Sequence, residues 1–204
     1  IRDRDAIDAD QMLGRGYVSI EQAAASLPGV TVGGSPGNPM GFSMRGFTDQ
    51  QVVLLQNGLY LGPSNMTNRP GNSFNLERVE VLKGPASVLY GQGAIGGAVN
   101  TVTKRARFGA SGADLIASVG RFGTTNFGLG GGGDLGDRAA WRIDVSRSAT
   151  DGFVDDAPSN SLSITSSLRW KATDALEFLL SFDVLDDEPS PYFGTPLVPT
   201  GFAT

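Results

Sequence analysis

The chain has 204 residues, enough for one or two domains with a buried core, and carries 16 Lys and Arg against 21 Asp and Glu. This small negative balance does not favour nucleic acid or another polyphosphate as a partner. Because the sequence contains no cysteine and no histidine, it excludes disulfides, thiol catalysis, Ser-His-Asp triads and metal sites built from those ligands. No run of 18 apolar residues occurs, so no membrane-spanning helix is predicted.

The first predicted elements are a helix and a strand. Ser19 is a predicted N-cap, and Gln22 is predicted to complete a capping box for a helix that Pro28 and Gly29 end. The β-branched residues at 30–32 predict a short strand directly after it. The beginning of the chain therefore has a mixed α and β character.

A hairpin and two loops are predicted next. Two apolar runs over 51–61 are joined by Asn57 and Gly58, the residues that a type I′ turn requires. The glycine- and proline-rich stretches Gly33–Gly41 and Gly62–Asn72 are polar and rich in turn-forming residues. We expect both stretches to be surface loops.

The glycines Gly91, Gly93 and Gly96 have the G-x-G-x-x-G spacing of a dinucleotide-binding loop. Such a loop needs a strand immediately before it and a long helix immediately after it. Here the strand-like run 78–83 ends too early, and the β-branched segment 97–104 predicts a strand where the helix should be. The glycines are therefore expected to form tight turns between a short helix and a strand, without a nucleotide.

From about Gly109 onward the sequence alternates with a period of two residues. Five segments of about ten residues place apolar and polar side chains on opposite faces, namely 113–120, 125–133, 140–148, 161–170 and 176–185. That length suits a tilted strand crossing a bilayer, and the alternation of short turns with longer loops is typical of outer-membrane barrels. A soluble β-sandwich is the alternative that periodicity alone leaves open.

The segment Leu76–Lys104, LERVEVLKGPASVLYGQGAIGGAVNTVTK, resembles the plug domain of TonB-dependent outer-membrane receptors. The stretches AAASLPGVTV and Met44–Phe47, MRGF, also fit that family, as does the hairpin, although the family usually has Asp-Gly where this chain has Asn57 and Gly58. The resemblance covers essentially the whole chain. It implies an α+β plug domain over residues 1–108, with a small mixed sheet and short helices, followed by antiparallel transmembrane β-barrel strands over 109–204.

The sequence departs from the family in two respects. Nothing before IRDRDAID resembles the short apolar TonB box that the family carries ahead of its plug. A barrel of this family has about 22 strands, whereas five are predicted here, and five strands cannot close without leaving unpaired backbone groups in lipid. We therefore expect the chain to be part of a much longer receptor.

The resemblance implies a receptor of the Gram-negative outer membrane that takes up a ferric siderophore. Siderophore, rather than cobalamin or sugar, is favoured by the stretch PSPYFGTPLVP at 189–199. The implied partners are the siderophore, TonB acting through an N-terminal segment by strand addition, and outer-membrane lipid, with no nucleic acid. No cofactor is expected, because the iron would be carried only as a siderophore chelate. No catalytic residue is expected in a receptor of this kind.

Two groups of residues are candidates for the site. The loops 33–41 and 60–69 are expected to face the ligand, with stacking, hydrogen bonds and charge supplied by Met40, Tyr60, Asn65 and Arg69. Charged residues on the predicted sheet strands are expected to form ion pairs between plug and barrel, namely Arg45, Arg78, Glu80 and Lys83. A solvated lumen surface is the alternative for this second group.

Two other classes of function remain as alternatives. The first is a soluble β-rich binding or adhesion module, whose strands would not need aromatic residues at both ends of the outward face. The second is an enzyme, which the absence of histidine and cysteine disfavours. The acidic stretches 151–156 and 183–188 lack the ligand spacing of a calcium loop and are interpreted as loop charge.

Overall fold

The computed structural model describes residues 4–35, 38–64, 72–85 and 94–190. These residues form two five-stranded sheets and a two-stranded hairpin. The elements in chain order are β1 Arg4–Asp8, α1 Ala9–Gly14, α2 Ile20–Ala25, β2 Val30–Ser35, β3 Asn38–Met44, β4 Val52–Gln56, β5 Leu59–Pro63, β6 Leu76–Lys83, β7 Gly97–Thr103, β8 Gly112–Val119, β9 Thr125–Leu135, β10 Ala139–Thr150, β11 Ser159–Thr173 and β12 Leu176–Glu188. One-turn 3-10 helices lie at Asp49–Gln51 and Ser73–Asn75.

Both α-helices begin with side-chain caps. The Oγ of Ser19 accepts from the backbone N–H of Gln22 at 3.3 Å, while Gln22 Oε1 accepts from the backbone of Val18, one residue before the predicted cap. In α1, Asp8 and Gln11 form a reciprocal capping box that the sequence analysis did not anticipate. Each helix is short, and none in the described part of the chain is long and apolar enough to span a membrane.

The first five-stranded sheet, here called the mixed sheet, has the strand order β1-β6-β7-β4-β5. Its pairings are antiparallel except for β4 and β7, which run parallel. The valines of its central strands are fully buried and form much of the apolar core, namely Val52, Val53, Val79, Val81 and Val99. The helices cover one face of this core, to which Ala23, Ala24 and Met12 contribute. The expected α+β domain with a small mixed sheet is confirmed.

The β4–β5 hairpin has the predicted type I′ turn. Asn57 and Gly58 have φ values of 55° and 83°, and a type I′ turn requires a positive φ at both positions. The backbone N–H of Thr103 donates to Asn57 Oδ1 at 3.0 Å, and that of Gly58 donates to Asn100 Oδ1 at 2.9 Å. The hairpin tip is thereby fastened to β7.

The structure corrects the prediction that Gly33–Gly41 is a loop. Most of this stretch belongs to the antiparallel pair β2–β3, which runs from the Val30–Met44 pair to the Ser35–Asn38 pair. Fully buried Phe42 and Met44 anchor β3 in the core, and the backbone ladder continues through the glycines because it requires no side chains. Of the second predicted loop, most residues lie outside the described ranges.

The second five-stranded sheet, here called the meander sheet, contains all five strands predicted from the period-two pattern. Each strand pairs antiparallel with its neighbour in sequence, in the order β12-β11-β10-β9-β8. Short turns at 136–138 and 174–175 lie at one end, and the longer connections 120–124 and 151–158 lie at the other. The resulting sheet matches the partial antiparallel barrel that the resemblance implies.

The two faces of the meander sheet differ in polarity. The side chains on one face are mostly apolar and exposed, as in Leu129 and Phe182, which are 52% and 66% accessible. The side chains on the other face are mostly polar, and Asn126, Asp144 and Thr165 on this face are buried against the mixed-sheet domain. The strand parity predicted from the sequence is confirmed.

In its described part, the glycine motif forms a tight backbone turn before β7. Gly96 donates its backbone N–H to the carbonyl of Gln51 at 2.8 Å, and a methyl group at Gly96 would overlap Phe47. Gly97 opens β7, so a strand and not a helix follows the motif. Gly91 and Gly93 lie outside the described residues.

Candidate functional site

The polar face of the meander sheet contacts the end of β7 and the residues that follow it. The backbone N–H of Ala106 donates to Ser167 Oγ at 2.7 Å, and Arg169 Nε donates to the carbonyl of Ala106 at 2.9 Å. The chain leaving the mixed sheet is therefore bound along β11 before it enters β8. We call the whole contact between the two sheets the seam.

The 3-10 turn Ser73–Asn75 places a buried amide at the centre of the seam. Asn72 caps this turn by accepting from the backbone N–H of Phe74 at 2.8 Å. Asn75 is 2% exposed, and its Nδ2 donates to the carbonyl of Asp144 at 3.1 Å, with Thr165 Oγ1 at 3.4 Å. One side chain of the mixed-sheet domain thus reaches two strands of the meander sheet.

Four charged side chains form a compact cluster at the seam. Arg142 donates to both carboxylate oxygens of Asp144 at 2.7 Å and to Asp114 at 2.5 Å. Lys104, from the end of β7, approaches Asp114 at 3.2 Å and Asp144 at 3.7 Å. Asp144 is fully buried, and its carboxylate lies 2.7 Å from the Arg142 guanidinium and 3.7 Å from the Lys104 ammonium. Two positive and two negative groups balance the cluster.

Glycines on β9 make room for the seam. A methyl group on Gly128 would lie 2.6 Å from Phe74 Cγ, and one on Gly130 would overlap the Asp144 carboxylate. The ring of Phe74 therefore lies in a groove that only glycine leaves open. The Lys104 ammonium lies 4.3 Å from the centroid of that ring, a cation–π distance.

A cavity of about 240 Å³ lies farther along the seam, between β4 and β7 on one side and β11 and β12 on the other. Gln56 Nε2 donates to Asp183 Oδ2 at 2.9 Å beside it. Asn72 and Asn75 belong to the lining of this cavity, and Asn72 Nδ2 and Asn75 Oδ1 are buried without a hydrogen-bond partner among the described residues. Ordered water commonly satisfies buried amide atoms of this kind.

The predicted ligand-facing residues are only partly described. Tyr60 lies on β5 with half of its surface exposed, and Met40 lies on β3 in the separate two-stranded hairpin. Asn65 and Arg69 lie outside the described residues. A ligand-binding role for these four residues therefore stays a prediction.

A plug–barrel role for the predicted ion-pairing residues stays a prediction, and the ion pairs that the structure describes for them lie within the mixed sheet. Arg78 pairs with Glu77 and Glu80 at 2.7 Å, and Lys83 pairs with Asp5, so these pairs are internal to the mixed sheet. The reason is cross-strand geometry, because β1 pairs with β6 and brings Asp5 beside Lys83. The hydrogen bond to Glu80 also raises the pKa of Arg78.

Arg45 and Glu80, the remaining predicted members, also occupy defined positions. Arg45 has φ of 51° in the turn between Met44 and Phe47, and its side chain extends toward Gly84. Glu80 is buried and accepts from Asn100 Nδ2 at 2.8 Å. Both positions are compatible with a structural role inside the mixed-sheet domain.

The charged residues that join the two sheets were not predicted from the sequence. The available signal was the alternation of β10, which places Arg142 and Asp144 on the face opposite Trp141, Ile143 and Val145. Among the described residues, no group of three or more His, Cys, Asp or Glu side chains could hold a metal ion.

Comparisons with known proteins agree with this architecture. The family model described as "TonB-dependent Receptor Plug Domain" matches residues 2–98. The probable TonB-dependent siderophore receptor PiuA of Acinetobacter baumannii is 28% identical over 186 residues, covering 87% of this chain and 24% of that protein. The vitamin B12 transporter BtuB of Photobacterium profundum is 31% identical over 139 residues, covering 66% of this chain and 23% of that protein.

Solved structures show the same fold. The ferric-catecholate import receptor Fiu of E. coli, in an open form, superposes with a TM-score of 0.80 at 24% identity, covering 95% of this chain and 28% of that one. The crystal structure of the siderophore receptor PiuA of Acinetobacter baumannii gives a TM-score of 0.77 at 24% identity, covering 91% and 27%. The chain therefore spans about a quarter of the length of the proteins it matches.

Proposed function

This chain belongs to the TonB-dependent receptors, and from that premise we propose that it is part of a Gram-negative outer-membrane receptor that takes up a ferric siderophore. In this proposal residues 1–108 are the plug domain, and residues 109–204 are the first strands of the barrel wall. The observation that carries the proposal is the polarity of the meander sheet, which is apolar outside and polar where it contacts the mixed sheet.

The composition of the seam suits a plug that occludes a barrel and yet moves. Its contacts include buried hydrogen bonds and a charge cluster, and a cavity lies along it. When the plug separates from the wall, water can form hydrogen bonds to the polar groups that become exposed. The free-energy cost of separation is therefore smaller than for an apolar surface of equal area. We propose that TonB, acting through an N-terminal segment by strand addition, supplies the work.

The ligand class is proposed from the relatives. PiuA is named as a probable siderophore receptor, and the ferrioxamine B receptor of Salmonella typhimurium is 28% identical over 93% of this chain. Cobalamin is the second candidate, because the vitamin B12 transporter BtuB is 31% identical. In both cases the iron or cobalt would be cargo, no resident cofactor is proposed, and the protein would have no enzymatic activity.

The experiment uses the full-length receptor that contains this chain. Purified receptor is titrated with ferric hydroxamate, ferric catecholate and cyanocobalamin, and intrinsic fluorescence is followed. Tyr60→Ala and Arg69→Ala test the proposed ligand-facing loop, and Arg15→Ala, an exposed arginine after α1, is the charge-matched control. We expect each test variant to weaken ferric-siderophore binding about tenfold or more, the loss typical of one hydrogen bond to a charged group, with unchanged surface abundance.

Three outcomes would contradict parts of the proposal. Binding of cyanocobalamin in place of every ferric chelate would replace the ligand class. Unchanged affinity in both test variants would move the ligand site from this loop to the barrel. A chain that stays soluble, monomeric and cooperatively folded without detergent would contradict the barrel assignment and favour a soluble binding module.

A further inference from the structure

The tip of the β4–β5 hairpin carries a residue pair with a reactivity of its own. Asn57 is the one asparagine among the 204 residues that is followed by glycine. In such a pair the backbone nitrogen of the glycine can attack the side-chain carbonyl carbon of the asparagine, because glycine has no Cβ to hinder the approach. The attack closes a five-membered succinimide ring and requires no enzyme or cofactor.

The reaction balances with water as the only co-reactant. Gly58 N loses its proton and forms a bond to Asn57 Cγ, while the bond between Cγ and Nδ2 breaks and ammonia leaves. Water then opens the ring at one of its two carbonyl carbons. One opening gives aspartate at this position, and the other gives isoaspartate, in which the main chain runs through the former side chain.

In the folded domain β7 holds both reacting groups. The backbone N–H of Gly58 donates to Asn100 Oδ1 at 2.9 Å, so the proton that the attacking nitrogen must lose is engaged. Asn57 Nδ2 donates to Thr103 Oγ1 at 3.0 Å, and Asn57 Oδ1 accepts from the backbone N–H of Thr103 at 3.0 Å. Rotation of the carboxamide into the position for attack breaks these bonds.

A buried carboxylate fixes the orientation of the acceptor for Gly58. Asn100 Nδ2 donates to Glu80 Oε2 at 2.8 Å, which leaves Asn100 Oδ1 directed at the turn. Glu80 and Thr103 are 5% and 3% exposed, so water competes poorly for their hydrogen bonds. Asn57 is only partly buried and Gly58 is exposed, so water can reach the turn itself for the hydrolysis step.

We propose that Asn57 is a latent deamidation site, which β7 suppresses in the folded domain and which reacts when the hairpin tip leaves β7. Because the site reacts only during such local opening, its rate is the rate of the open turn multiplied by the open fraction.

The two products have different consequences for the hairpin. Aspartate retains an oxygen that accepts from the backbone N–H of Thr103. Isoaspartate adds one carbon to the main chain of a two-residue turn, so the turn no longer brings both Asn57 and Gly58 to their partners on β7. Isoaspartate formation should therefore detach the hairpin tip, whichever ligand the receptor transports.

The test follows this chemistry in the purified full-length receptor in detergent. Wild type and variants are incubated at mildly alkaline pH, digested, and analysed by mass spectrometry with electron-transfer dissociation, which distinguishes isoaspartate from aspartate. Wild type unfolded in urea gives the rate of the unprotected site. Heat-dependent mobility on gels and ferric-siderophore binding verify that each variant is folded.

Two variants remove the two protecting contacts separately. Thr103→Val removes the hydroxyl that contacts the Asn57 carboxamide, and Asn100→Ala removes the acceptor for the backbone N–H of Gly58. The matched control is Thr101→Val, because the Thr101 hydroxyl lies on the same strand and donates to the β4 backbone, not to the turn. Asn100→Ala decides the comparison if Thr103→Val fails the folding checks.

We expect isoaspartate to form fastest in the unfolded receptor and slowest in folded wild type, with a difference of about tenfold or more. Thr103→Val and Asn100→Ala should each raise the folded rate about fivefold, the factor that corresponds to one hydrogen bond. Thr101→Val should react at the wild-type rate.

Three outcomes would overturn the inference. Equal rates in folded and unfolded wild type would show that β7 protects nothing. Protecting-contact variants that react no faster than Thr101→Val would remove the role of Thr103 and Asn100. Aspartate without isoaspartate would exclude the cyclic route, because direct hydrolysis of the side chain gives aspartate alone. Each outcome leaves the proposed siderophore uptake unaffected.

Discussion

Replacing the buried carboxylate at the seam is expected to loosen the mixed-sheet domain from the meander sheet. Asp144→Asn keeps the side-chain volume but removes the negative charge between Arg142 and Lys104. Removing one partner of a buried ion pair costs about 3–5 kcal/mol. We expect Asp144→Asn to lower the free energy of plug release by about 3 kcal/mol, the lower end of this range, because Arg142 keeps its second partner, the half-exposed Asp114.

The assay follows release of the plug in urea. The 204 residues contain no cysteine, so Leu13→Cys, on an exposed position of α1, carries a spin label at a position unique within this segment. With a urea dependence of about 1–3 kcal/mol per molar, a loss of 3 kcal/mol lowers the release midpoint by about 1–3 M. The matched control is Asp174→Asn, because Asp174 is fully exposed and lies 3.7 Å from Arg138.

The control is expected to release at the wild-type midpoint. Asp114→Asn should give a smaller shift than Asp144→Asn, since water already screens Asp114. If Asp144→Asn and Asp174→Asn released at the same urea concentration, the charge cluster would contribute nothing to holding the plug. That result would also refute the inference that a buried carboxylate such as Asp144 contributes more to plug retention than the exposed Asp174.

Three further predictions concern the groove, the hairpin and the girdle. Gly128→Leu should displace the ring of Phe74 and lower the urea midpoint of plug release, while adding Phe74→Ala should recover part of the loss. Gly58→Val should lower the free energy of unfolding of the plug by about 1–3 kcal/mol, measured by urea titration, because φ of 83° strains a β-branched residue; an unchanged midpoint would contradict the turn assignment. Brominated lipids should quench Trp141 and Trp170 most strongly when bromine lies near the headgroups, since both lie on the outward face near the short turns; equal quenching at every depth would contradict the girdle.

Local chemistry made the hairpin and the wall strands predictable from the sequence. The Asn57 and Gly58 pair specifies a type I′ turn because both residues adopt positive φ readily. The meander strands were predicted from their period-two alternation. A strand with a polar face toward the plug and an apolar face toward lipid requires that pattern, because successive side chains point to opposite faces.

The partners at the seam were not predictable because they depend on packing between distant segments. Strand β1 carries two aspartates in five residues and lacks an apolar period, so neither the strand nor the Asp5–Lys83 pair was anticipated. Lys104 and Asp144 are forty residues apart, and nothing local indicates that they meet. Gly128 is one of several glycines in β9, and its role becomes evident only with Phe74 in place.

The pairing pattern of the two sheets also bears on the order in which the chain acquires structure. In the mixed sheet, β1 pairs with β6 some seventy residues later, and the parallel β4–β7 pair needs residues up to 101. In the meander sheet, each strand finds its partner in the adjacent segment. Non-local pairing closes slowly, because loop entropy is lost before contacts compensate for it. During synthesis from the N-terminus, β1 to β5 would therefore lack their neighbours β6 and β7 until residue 103 has been added. Protease sensitivity and chaperone binding should be highest before that point.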